Sequence, residues 1–200
     1  MSLSARRSVE CSETSGDLED SPRPGVLRPS VHPMNERSWQ LERPLDLLQT
    51  LRFALPKTPA LLRTAGNEAT YSLWSEQGAA TVKLVLTADS LRAQAVGPGA
   101  EGALSAVPHT VGLEDDASQF ATTPGLLRDL HRRQRGFRLG HSKRVFDTIL
   151  PTVIGQRVTT DEAKRSYRRL VDMVGESAPG EDPLLLPPRP EAVAKLSYAD

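Results

Sequence analysis

The sequence predicts an α+β protein: a small N-terminal antiparallel sheet with a covering helix, followed by the first part of an all-α domain. Three observations lead there. Between residues 69 and 96, three short runs alternate apolar and polar residues and are separated by turn signals. Between His141 and Gly175, two stretches repeat apolar residues at helical spacing. The first 38 residues show no period at all, and their apolar residues are isolated.

Two hundred residues accommodate one sizeable domain or two small ones. Residues 1–38 bury too little apolar surface to offset their ordering entropy, so a disordered leader is expected. A small α+β domain is expected over 39–112 and a helical domain over 113–200. Pro44 suits the first turn of a helix over 44–52, carrying Leu45, Leu47, Leu48 and Leu51. Ala69, Tyr71 and Leu73 then alternate with Thr70, Ser72 and Trp74. Gly78 makes a turn, and Val82, Leu84 and Leu86 alternate in the next run. Asp89-Ser90 turns again before Leu91, Ala93 and Ala95. This is a meander with one packed and one wet face, the helix covering the packed one.

A short helix over Glu101–Val107 is expected to close at Pro108 and Gly112. The acidic run Glu114-Asp115-Asp116 lacks the interleaved spacing of a calcium loop and reads as helix capping. A helix from Thr123 or Pro124 through Arg132 leads into a basic connection, Arg133 to Leu139. The first central helix then presents Val145, Phe146, Ile149, Leu150, Val153 and Ile154 as a buried stripe, with Pro151 bending or splitting it. The second presents Ala163, Tyr167, Leu170, Val171 and Val174. Thr159-Thr160-Asp161-Glu162 fits a capping box at its start, and Gly175 stops it.

Formal net charge is zero, but residues 128–169 hold twelve Lys/Arg against four Asp/Glu. That excess fits either a polyanion partner or a solvated helical face. The lone Cys11 makes neither a disulfide framework nor a cysteine metal site, and no run approaches a membrane span. A cytoplasmic setting follows. The four histidines, His32, His109, His131 and His141, are scattered and read as surface residues. Gln156 stands at the corner between the two central helices. Its amide either satisfies carbonyls left open at a helix end or is presented to a ligand, and chemistry alone favours the former.

Several segments, in order, carry a family resemblance. They are Arg135-Gly136-Phe137-Arg138-Leu139 leading to Phe146, Val153-Ile154-Gly155-Gln156, Val158-Thr159, Ala163 and Val174-Gly175. Ala178-Pro179-Gly180 and Pro190-Glu191 with Ala194 and Leu196 extend the series. The chain over 39–200 thereby resembles the helix-hairpin-helix DNA glycosylases, and within them the 3-methyladenine DNA glycosylase II, alkylation-repair branch.

That resemblance implies a DNA N-glycosylase of base-excision repair that binds duplex DNA as a monomer and flips out alkylated purines. It implies no cofactor and no metal. Gln156 and Arg157 take the corner that fills the gap left by the flipped base, although relatives often carry an apolar wedge where this chain has Arg157. Arg144, Lys164 and Arg165 are candidate phosphate contacts. The family's hairpin and catalytic Asp find no match after Gly175, so no catalytic residue is assigned. A chain ending at Asp200 is expected to leave apolar helix surface uncovered. The alternatives are a non-catalytic DNA-binding module and an inactive truncated remnant.

Overall fold

The computed structural model describes residues 34–116 and 125–197. They belong to one compact unit. Five antiparallel strands form one sheet, and the expected meander is its centre: β3 (Glu68–Ser75), β4 (Gly78–Leu86) and β5 (Ser90–Val96). Two edge strands were not expected. β1 (Asn35–Gln40) pairs with β5, and β2 (Leu62–Ala65) pairs with β3, giving the order β1-β5-β4-β3-β2. Regular structure thus reaches Asn35, four residues earlier than the expected start at Trp39. The rest of the leader, Cys11 and His32 included, lies outside the described residues.

Alternation along the strands works as the sequence implies. Tyr71 and Leu73, Val82 and Leu84, and Leu91 and Ala93 point into one core. Two helices cover it, not one. α1 (Leu47–Ala54) is capped by Asp46, whose carboxylate accepts the Gln49 N–H at 3.0 Å. Pro44 therefore sits before the helix, not in its first turn. α2 (Ala100–Thr110) lays Ala103, Leu104 and Val107 across β4 and β5. It runs through Pro108 instead of closing there, because a proline in the last turn removes just one backbone donor.

The second face of the sheet is wet only in part: Lys83 and Arg92 stay exposed on it, paired with Glu68 and Glu36, and the rest is covered. Residues 177–188 return across it as an extended strap. Thr81 donates its hydroxyl to the Pro179 carbonyl at 2.6 Å, and Trp74 Nε1 donates to Pro187 at 2.9 Å. The Ser72 hydroxyl donates to the Leu185 carbonyl. Leu184 and Leu186 of the strap are themselves buried, and the Leu185 N–H reaches the Ala60 carbonyl at 2.8 Å. A short helix, α6 (Pro190–Val193), follows. Contacts therefore cross the expected boundary at 112/113.

The basic connection is a second tie. Arg138 is buried, and one guanidinium nitrogen donates to the Arg43 carbonyl at 2.6 Å. The Gly136 carbonyl accepts the Asp46 N–H at 2.5 Å. Among the described residues, the helix that follows the acidic run has no side-chain cap at its start. Asp115 accepts the Leu139 N–H at 2.8 Å, and Arg43 binds the Asp115 carbonyl at 2.6 Å. α3 (Leu126–Arg133) begins at Gly125, and the expected start at Thr123 or Pro124 lies outside the described residues.

Gly97, with φ +109°, closes the packing between sheet and strap. A Cβ there would lie 2.5 Å from the Ala79 carbonyl and 2.5 Å from Pro179 Cγ. Gly97→Ala is expected to destabilise the chain by about 2 kcal/mol or more through strain and overlap, read from the urea midpoint.

Candidate nucleic-acid interface

Two helices extend from this base: α4 (Val145–Ile154) and α5 (Thr160–Val174). α4 is continuous through Pro151, so the expected split does not occur. Its apolar stripe is divided. Leu150 and Ile154 pack onto a small cluster of Leu61, Tyr167 and Val171, with Leu185 of the strap beside it. Val145, Ile149 and Val153, four residues apart along the opposite side, are half or more exposed, at 70, 51 and 55 %. The expected single buried stripe is therefore half right: α5 and the 60–61 loop cover one flank, and no described residue buries the other.

Between the helices lies the corner. Gly155 ends α4 with its N–H on the Pro151 carbonyl, and the Gln156 N–H donates to Val153 at 3.1 Å. The left-handed residue is Arg157, at φ +60°, not the glycine. A non-glycine residue there costs of order 1 kcal/mol, and such strain concentrates where a side chain must be aimed. Thr159 and Glu162 then form the expected capping box. The Thr159 N–H donates to the Glu162 carboxylate at 2.9 Å, and the Glu162 N–H donates back to the Thr159 hydroxyl at 3.3 Å. Gly175 does not stop α5 through a left-handed turn. Its φ is −71°, and it serves close packing, since a Cβ would lie 2.4 Å from the Val171 carbonyl.

Both corner side chains are exposed. Among the described residues neither the Gln156 amide nor the Arg157 guanidinium has a hydrogen-bond or ion-pair partner. The Gln156 amide therefore does not cap α4. Lys164 and Arg165 are exposed on the first turns of α5, Lys164 with a loose 3.7 Å pairing to Asp161. Arg144 differs from them. Its Nε binds the buried Asp147 carboxylate at 2.5 Å, and another nitrogen reaches the Trp74 carbonyl at 3.5 Å. Arg144 positions the start of α4, and its charge is spent on Asp147. The spacing of three residues between them was a signal the sequence offered.

The sequence reading missed three further groupings. Arg189 stacks on the Trp74 ring, 3.5 Å from its centroid. His109, half-buried and not a free surface residue, accepts at Nε2 from the Lys143 ammonium at 2.6 Å and meets Glu114 at 2.9 Å. Phe53, Lys57, Lys164 and Tyr167 line a groove of about 380 Å³ between α1 and the helix pair.

A small antiparallel sheet tied to a helix pair with a polar corner is an arrangement found among solved structures. In particular, the structure is similar to that of a 3-methyladenine DNA-glycosylase from Archaeoglobus fulgidus, with a TM-score of 0.64 at 18 % identity. The match covers 80 % of this chain and 58 % of that one, so the chain spans somewhat over half of that protein's length. At this identity the likeness is one of fold. No protein-family model and no curated protein matches the sequence.

Accepting bonds from Thr159 holds the Glu162 carboxyl below its ordinary value of 4.5. A lowered folded-state value means its contribution is complete above about pH 4.5 and is lost as pH falls through the lowered value. Glu162→Gln is expected to flatten the acid limb of the stability profile, measured by thermal melts across pH. Thr159→Ala, which removes the cap, is expected to cost about 1 kcal/mol.

Proposed function

We propose that this chain is the duplex-engaging portion of a DNA N-glycosylase of base-excision repair that acts on alkylated purines. The observation that carries the reading is the fold shared with a 3-methyladenine DNA-glycosylase over 80 % of the chain. The free, exposed corner supports it. In this reading the protein binds duplex DNA as a monomer, and Gln156 and Arg157 enter the minor groove where a base has been turned out. A side chain inserted there replaces lost stacking and holds the strand open.

Lys164 and Arg165 contact backbone phosphates, each releasing counterions and steepening the salt dependence of binding. Arg144 has no part in phosphate binding, being engaged by Asp147. The bond-breaking carboxylate is assigned to no residue of this chain. Asp147 is bound by Arg144, and Asp182 lies in the bend within the strap, its carbonyl accepting the Leu184 N–H. No cofactor enters the reading. Among the described residues, no helix is long and apolar enough to cross a membrane.

Fluorescence anisotropy with duplexes that carry or lack an abasic-site analogue tests this. Tighter binding to the gapped duplex is expected, and Gln156→Ala with Arg157→Gly is expected to abolish the preference. Arg157→Gly relieves the left-handed strain but adds chain entropy, so Tm should hold within about 0.5 kcal/mol of stability. Lys164→Ala is expected to lower the salt slope by about 1. Equal binding of both duplexes, insensitive to the corner variants, overturns the reading. Assay of base release from alkylated DNA separates an active glycosylase from a module that binds without excision.

A further inference from the structure

We propose that the groove between α1 and the helix pair is a binding site for a nucleoside phosphate, separate from the corner. The strongest pointer is Phe53. It is 70 % exposed at the C-terminal end of α1, yet its ring is held edge-on by Phe137 at 5.1 Å between centroids. A fixed aromatic plate facing water is poor use of apolar surface for folding, and it is what a stacking base requires. Lys57 brings its ammonium over one face of the same ring, 5.4 Å from its centroid, so a cation stands directly beside the plate.

The remaining lining defines the rest of the ligand. Arg52 and Lys164 join Lys57 as cations, while the carboxylate that lines the groove, Asp147, is neutralised by Arg144. The balance is positive and calls for an anion. Ala54, Pro56, Pro151 and Ala163 give the walls apolar patches that a bare inorganic anion would not use. Tyr167 also lines the groove. It is 5 % exposed, and its hydroxyl is buried with no hydrogen-bond partner. Burial, with Asp147 nearby, holds the phenol well above its ordinary range, so it stays a donor at neutral pH. That unmet donor is closed off from the groove and is a cost of packing α5. The groove's volume of about 380 Å³ lies at the lower end of the ~300–1,000 Å³ typical of small-molecule sites, which suits a single nucleotide.

The site shares Lys164 with the duplex surface of the glycosylase reading but uses neither Gln156 nor Arg157, so the Arg157 variant separates the two. Titration of the whole ¹⁵N-labelled chain with AMP, adenosine and inorganic phosphate, each followed by NMR, tests it. AMP is expected to bind most tightly and to shift the amides of α1 and the first turns of α5. Phe53→Ala and Lys57→Ala are each expected to weaken AMP about ten-fold, the loss of one stacking or charged contact. Tyr167→Phe is expected to raise the Tm of the free chain and leave AMP affinity unchanged, since the hydroxyl does not open onto the groove. Arg157→Gly should leave AMP affinity unchanged. Phosphate or adenosine binding as tightly as AMP, shifts centred on the corner, or Phe53→Ala and Phe53→Leu both without effect would each overturn the proposal.

Discussion

Trp74 is the point at which the sheet, the helix pair and the strap are joined. Its indole N–H donates to the strap at Pro187, and the Arg189 guanidinium lies 3.5 Å over its ring. Its carbonyl faces Arg144, which holds Asp147 in the first turn of α4. Each contact is polar or charge-assisted and at least partly shielded from water, where such interactions are stronger than on an open surface. The direction in which α4 leaves the base is set here. Everything beyond it, including the corner, inherits that direction.

Rigidity and freedom are divided along the helix pair. The backbone of the corner is fixed from both sides: by closing hydrogen bonds at the end of α4 and by the capping box at the start of α5. The side chains it carries are unengaged among the described residues. A stiff frame with free tips loses little entropy on binding, because the ordering was completed during folding. The groove below follows a related logic. Phe53 is held by Phe137, while Lys57 and Lys164 keep long, mobile stems at its rim.

How much of this could be read from the sequence depended on the range of the interactions. The three central strands were legible because alternation and turns are local, and so was the Thr159–Glu162 box. β1 was not. It is a largely polar edge strand, Asn-Glu-Arg-Ser-Trp-Gln, whose pairing with β5 depends on residues far along the chain. The strap was misread for the same reason: a proline-bounded apolar run resembles a linker unless its partners, Ser72 and Trp74, are known to face it. At the site, the corner was located from its neighbours' helical periods. Arg144 was visible as a charge, a candidate phosphate contact, while its pairing with Asp147 was less so. The Phe53 groove went unseen because it joins α1 to helices about a hundred residues later.

The strap also makes the sheet dependent on the order of synthesis. α1, α2 and all five strands emerge from the ribosome well before residue 177, and can close their shared core early. The other side of the sheet must wait for Pro179, Leu185 and Pro187, with the whole helix pair produced in between. During that interval Ser72, Trp74 and Thr81 face water or a chaperone. The nascent protein therefore passes through a stage with one finished face and one sticky one, when association with a second chain is most favourable.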